Sequence, residues 1–208
     1  MNIHLYLLVN QGMRARDENK EIAIRQKAVE MIVKEGLDGL SMQKLARAAG
    51  VSPATIYIYY KDREDLIIQL ALYASEKLTC TSLENFNPEM SFEEGMKLQW
   101  RNRARFFTEN PTEMLFVEQI KHSQHYERFV EANKEHFRDV MRKFTRNAIK
   151  NNELIELPFE AYWSVAFGPL YQLIKFHSQG YSYANKEFHL TDELMMQTLQ
   201  LVLKALKP

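Results

Sequence analysis

Ser41-Met42-Gln43-Lys44-Leu45-Ala46-Arg47-Ala48-Ala49-Gly50-Val51-Ser52-Pro53-Ala54-Thr55-Ile56-Tyr57-Ile58-Tyr59-Tyr60 is the stretch that decides the fold. Ser41 caps a short helix, Met42 to Ala48, because a serine oxygen there accepts one of the amides a helix start leaves unpaired. Gly50 supplies the turn residue, Ser52 caps the next helix, and Pro53 takes its first position, where the missing N–H costs nothing. Leu45 and Ala46 face inward, Ala49-Gly50-Val51 makes the tight turn, and Ile56 returns to the core. The small residues Ala46, Ala49 and Gly50 let the two helices cross closely. Ser52 and Thr55, at a helix N-terminus, offer hydroxyls and backbone donors to a phosphate. Read from the residues alone, a helical hairpin with core tyrosines competes with this reading. Against the hairpin stand the segment's early position, the short tyrosine-rich third helix and the capped helix opened at once by Asp62-Arg63-Glu64.

Outward from this stretch the pattern is helical, with apolar residues recurring at three and four positions and no sustained alternation. The start and stop signals predict about nine helices. The first spans about Glu18 to Glu35, with Ile22, Ala23, Ala28, Ile32 and Val33 apolar and Gly36 as its left-handed cap. Asp62 caps a fourth that runs towards Thr79, with Glu64 and Asp65 favourably placed at its positive end. A polar loop from about Thr81 to Glu89 marks the junction with a second part. There Ser91 with Glu94, and Asn110 with Glu113, have capping-box spacing. A long seventh helix is expected from Tyr126 to Lys150, an eighth from Pro158 to Gln179 that Gly168-Pro169 must kink or break, and a ninth from Asp192 to Leu206.

The 208 residues are 46% hydrophobic and 26% charged, which suits a globular chain with a buried core. The 27 Lys and Arg balance 27 Asp and Glu, so no whole-chain field favours nucleic acid, and any DNA claim must rest on local features. The single Cys80 forms no internal disulfide, fits a reducing cytoplasm and reads as a small buried or half-buried residue. The apolar run Ile3 to Val9 lacks the basic flank and cleavage site of a signal peptide and is too short to span a membrane; Met13 is an alternative start. No nucleophile elbow, phosphate loop, zincin helix or Cys-His pattern is present, so no enzyme and no cofactor is expected. His122, His125 and His136 lack partners at metal-ligand spacing, and no metal is expected.

Residues from about Glu21 to Leu66 resemble the DNA-binding domain of the tetracycline-repressor (TetR/AcrR) family, on the run from Ala49-Gly50-Val51-Ser52 through Tyr60-Lys61-Asp62-Arg63-Glu64-Asp65-Leu66. The resemblance implies that this run is the turn, the recognition helix and the start of the fourth helix. Gln43, Lys44, Ser52, Pro53, Thr55, Tyr57 and Tyr59 would then approach the major groove or its phosphates, and Lys61 and Arg63 would clamp phosphate. The sequence departs from the family at Tyr60, where Phe is usual, at Arg63, where Lys is usual, and at Ala54, where Gly is frequent. Arg14, Arg16 and Lys20 form either a basic arm on the DNA backbone or an exposed polar start.

The family's architecture implies an all-α chain: a three-helix helix-turn-helix domain over 13–66, a linking fourth helix over 62–79, and a C-terminal helical domain for effector binding and dimerisation over 81–208. Trp100, Phe107, Phe116, Phe137, Met141 and Tyr171 are the candidate ligand-lining residues. Arg101, Arg103 and Arg105 either receive an anionic ligand or form a solvated face. Trp163, Phe167, Leu170, Ile174, Leu194, Met195, Leu199 and Val202 are the candidate dimer surface, against the alternative of an intramolecular core. The expected protein is a cytoplasmic homodimer on a palindromic double-stranded DNA operator, a repressor released by an unidentified small-molecule effector. The alternative is a ligand-independent DNA-binding or protein-interaction factor with a solid C-terminal core.

Overall fold

The computed structural model describes residues 3–132, 136–184 and 187–208, with side chains from residue 18 onward except that of His136. Among them the regular structure is entirely helical: α1 (Ile3–Glu35), a single 3-10 turn (Leu37–Gly39), α2 (Met42–Ala49), α3 (Pro53–Tyr59), α4 (Arg63–Ser82), α5 (Phe92–Glu109), α6 (Pro111–Lys121), α7 (Tyr126–Ala132), α8 (His136–Lys150), α9 (Phe159–Gln179) and α10 (Asp192–Leu206). The first helix begins well before Glu18. The expected seventh helix is described as two, α7 and α8, with 133–135 outside the described residues. Pro169 does not break α9.

The chain forms two compact units, 1–74 with 112–133, and 75–111 with 134–208. This departs from the contiguous division expected near residue 80, for a reason that lies in two side chains of α6. Phe116 and Ile120 are fully buried in the same core as the helix-turn-helix. That core is built on Ile24, Ala28 and Ile32 of α1, at successive four-residue steps, with Leu45 and Ala46 of α2, Ile56 of α3 and Leu66, Ile67 and Leu70 of α4. Ile22, expected among the apolar positions of α1, is 43% exposed.

Local chemistry fixes the turn. Ser41 Oγ accepts from Lys44 N at 3.2 Å and Ser52 Oγ from Thr55 N at 3.1 Å. Gly50, at φ 66° and ψ 32°, closes α2 in the left-handed region, while Val51 N donates back to Ala46 O at 2.9 Å. Asp62 Oδ1 caps α4 by accepting from Asp65 N at 2.8 Å.

Tyr60 lies 4% exposed in this core, and its hydroxyl has no partner among the described residues. Burial, and secondarily Glu21, push the phenol up to about 12. An unpaired buried hydroxyl costs free energy that a phenyl ring avoids. Tyr60→Phe is therefore expected to raise the stability of the first unit by about 1 kcal/mol. A lower urea midpoint for the variant would contradict this.

In the second unit α5, α9 and α10 pack on one another, and α8 packs on α5. Ser91 and Glu94 make the expected capping box, with Glu94 N to Ser91 Oγ at 3.3 Å and Ser91 Oγ to Glu94 Oε2 at 2.7 Å. Asn110 does otherwise. Its amide donates to Phe106 O at 2.7 Å and accepts from Lys77 Nζ at 2.6 Å, closing the end of α5. Gln99 and Asn102 both donate to Ser82 O, satisfying the last turn of α4. Cys80 is exposed rather than tucked in. No helix among the described residues is long and apolar enough to cross a membrane.

Candidate functional site

α3 has seven residues, and of these only Ile56 is buried. Tyr59 packs half-buried against the same core and Thr55 is half-buried, so the helix turns only its remaining face outward. Pro53, Ala54, Tyr57 and Ile58 are exposed, Tyr57 at 53% and Ile58 at 77%, which is costly for such side chains in water unless a partner covers them. At the start of α3 the Ser52 and Thr55 hydroxyls lie 2.9 Å apart. Tyr59 is half-buried beside Tyr60, with ring centroids 6.4 Å apart.

On α2, Gln43 and Lys44 are exposed, and Lys44 Nζ reaches Glu35 Oε2 at 3.3 Å. Arg47 is exposed as well and was missed in the sequence reading, although its spacing of four from Gln43 places the two on one face. Lys61 is exposed, and its backbone N–H donates to Asp65 Oδ2 at 2.8 Å, which leaves the ammonium outside that bond. Arg63 is partly committed within the fold: its guanidinium donates through Nε to Leu40 O at 2.9 Å and through Nη2 to Leu37 O, which ties α4 to the 3-10 turn.

The second unit carries a groove of about 670 Å³ lined along α8 by Phe137, Arg138, Met141, Arg142, Thr145, Arg146 and Ile149, by Leu154, Ile155 and Leu157 of the following connector, and by Phe159, Glu160, Tyr162 and Trp163 at the start of α9. Its size is that of a small-molecule site. Of the six candidate lining residues the structure brings Phe137 and Met141 to it. Phe116 is a correction, since it is wholly buried in the first unit's core. Trp100 is fully buried, with its indole N–H on Ala166 O at 2.9 Å, and Phe107 is 5% exposed against Tyr171, with ring centroids 5.9 Å apart. Tyr162 was not anticipated at the groove. Its burial pushes the phenol well above its ordinary range.

Tyr171 leads to the second departure. Its hydroxyl accepts from Nη1 of Arg103 at 2.7 Å, and Arg103 is only 2% exposed. Arg101 and Arg105 do form a solvated face, paired with Asp192 and Glu84 respectively, but Arg103 points inward between them.

Six of the eight candidate dimer residues are buried inside the protomer, namely Phe167, Leu170, Ile174, Met195, Leu199 and Val202, while Trp163 and Leu194 are half-buried. Helices α9 and α10 use these faces on each other and on α5. The small and apolar residues they leave outward include a different set: Ala161, Ser164, Val165 and Gly168 on α9, and Leu201 and Ala205 on α10. Among the described residues no group of three His, Cys, Asp or Glu is placed to hold a metal.

The sequence model of bacterial regulatory proteins of the tetR family matches residues 24–70, the interval that holds the turn and α3. An uncharacterized HTH-type transcriptional regulator of Haemophilus influenzae is 37% identical over 82 residues, which is 39% of this chain and 44% of that protein. The chain thus matches less than half the length of that curated relative. A crystal structure of a TetR-family transcription regulator from Marinobacter aquaeolei VT8 superposes with a TM-score of 0.71 at 28% identity, covering 93% of this chain and 98% of that one. A TetR-family regulator from Haemophilus influenzae shares the fold, with a TM-score of 0.76 at 24% identity over 93% of this chain and 99% of that one. The family match falls on the residues that build the helix-turn-helix, and the likeness to a TetR-family regulator runs through both units.

Proposed function

We propose that this protein is a sequence-specific DNA-binding transcription regulator of the cytoplasm, acting as a homodimer and released from its operator by a small molecule held in the second unit. The exposed face of α3 carries the DNA half of this reading. A short helix with Tyr57 and Ile58 outward fits the major groove, where apolar side chains meet thymine methyl groups and a tyrosine hydroxyl meets base edges or phosphate. Ser52, Thr55, Lys44, Arg47 and Lys61 then contact the phosphates that set its register.

Dimerisation through the outward faces of α9 and α10 gives the two-fold symmetry such a site requires. Ala161, Ser164, Val165 and Gly168 permit close approach, and Leu201, 66% exposed, supplies the apolar contact. Two α3 helices would then enter successive major grooves about 34–36 Å apart. The groove in the second unit favours ligand response over a solid core, and α4, whose residues belong to both units, is the element through which a ligand would change that spacing.

Titration onto DNA from upstream of its own gene tests the reading. Tyr57→Ala is expected to weaken specific binding about tenfold, and Lys61→Ala to weaken all binding and lower the salt slope by about 1. Binding of equal strength to unrelated DNA, with neither variant changing it, would sink the proposal.

A further inference from the structure

The guanidinium of Arg103 is always charged and almost wholly buried, yet no carboxylate faces it among the described residues. Its Nε donates to Gln99 Oε1 at 3.3 Å, its Nη1 to the Tyr171 hydroxyl, and its Nη2 has no partner there. Around it stand Phe167, Phe137 and Trp163, with ring centroids 4.8, 5.1 and 5.4 Å from the guanidinium carbon. Ring faces and two neutral acceptors offset part of the desolvation of a cation, but a counter-ion offsets more.

Two of those rings, Phe137 and Trp163, are also walls of the groove. The guanidinium that carries the unpaired donor therefore lies against two rings of the groove's lining. Charge on the groove itself leans the same way: Arg138, Arg142 and Arg146 stand one helical turn apart on α8 and face a single acid, Glu160. Arg142 is paired with Asp139 at 3.1 Å, and neither Arg138 nor Arg146 has a carboxylate partner among the described residues. Apart from Thr145 and the Tyr162 hydroxyl, the remaining wall is apolar.

We infer that this groove binds an organic anion with an apolar body, and that Arg103 is the counter-ion for its head. The body lies along the apolar face of α8, and the carboxylate or phosphate reaches Nη2 once Phe137 or Trp163, both half-buried, changes rotamer. A neutral ligand leaves Arg103 as it is, and a cation meets four arginines. This names the chemical class of the effector proposed above, and rests on that proposal only for its consequence at DNA.

The test compares three ten-carbon probes on the full-length protein, decanoate, 1-decanol and decyltrimethylammonium, followed by the fluorescence of Trp163; the chain's other tryptophan, Trp100, is buried away from the groove. Decanoate is expected to bind about tenfold or more tighter than decanol, with the ammonium weakest. Arg103→Met replaces the cation by an apolar chain of similar length and should bring decanoate and decanol within about threefold of each other. Equal affinities in the natural protein overturn the inference, whether or not the variant folds. A preference that survives in Arg103→Met assigns the charge selection to the rim and overturns the role of Arg103. A separate arm adds decanoate to the protein bound to its upstream DNA. Selective binding without release leaves the site standing and overturns effector-driven release.

Discussion

Replacing Trp100 by Ala is expected to cost about 3–5 kcal/mol, the range for deleting a large buried aromatic side chain. Trp100 is 0% exposed in the second unit, on α5 where that helix packs on α9. Its indole also fills a polar role that no smaller residue can. Pro169 has no N–H, so the carbonyl of Val165 loses its helical donor, and the ladder is disturbed where Trp100 Nε1 donates to the neighbouring Ala166 O at 2.9 Å. The variant thus opens a cavity and removes a hydrogen bond at the weakest point of α9. Trp100→Phe keeps most of the volume and loses the bond, and should cost about 1–2 kcal/mol. Urea unfolding of the second unit, read from Trp163 fluorescence at constant m, checks both. A loss below about 2 kcal/mol for the alanine variant would mean that the surroundings close over the site, and that Trp100 is not the keystone its burial implies.

The features that were legible in the sequence are those whose causes lie within a few residues. Ser41, Ser52, Asp62 and Ser91 all cap as their positions predict, because the amide each must meet is three residues on. Gly50 closes α2 for a similarly local reason. The bonds of Arg63 were not legible, because its partners, Leu37 O and Leu40 O, come from 26 and 23 residues earlier, and nothing in the run Lys61-Asp62-Arg63 announces them. Exposed basic residues near a recognition helix look alike until the fold shows which are already committed.

Arg103 was legible in part. Met96, Trp100, Arg103 and Phe107 recur at steps of four, three and four, the spacing of a buried helical face, and an arginine within such a stripe is itself a signal. The alternation Arg101, Arg103, Arg105 hid it by suggesting one solvated run, whereas a helix turns 100° per residue and sends the middle one to the other side. The outward face of α9 was hidden for a related reason. The largest apolar residues of α9 and α10 go first to the chain's own core, so the face of α9 left outward carries smaller ones, Ala161, Ser164 and Gly168, that hydrophobicity alone does not single out.

Gly95→Ala is expected to destabilise the second unit by about 1–3 kcal/mol or more, although alanine is the better helix former and the position lies inside α5. A Cβ built at residue 95 would stand 2.5 Å from Cε2 of Phe144, closer still to its Cζ, and 3.2 Å from Cε2 of Phe86. Phe144 cannot readily yield. It is 0% exposed, stacked on Phe92 at 5.7 Å and met edge-on by Phe86 at 5.0 Å, so turning its ring disturbs both contacts. The clash thus has one identifiable partner, and a double-mutant cycle can show it. Phe144→Leu alone should cost about 1–2 kcal/mol as a partial cavity, but it removes the atoms that the new methyl would meet. Combined with Gly95→Ala it should lose at least about 1 kcal/mol less than the sum of the two single variants. Strict additivity would show that the cost at residue 95 lies in the α5 backbone and not in its contact with Phe144.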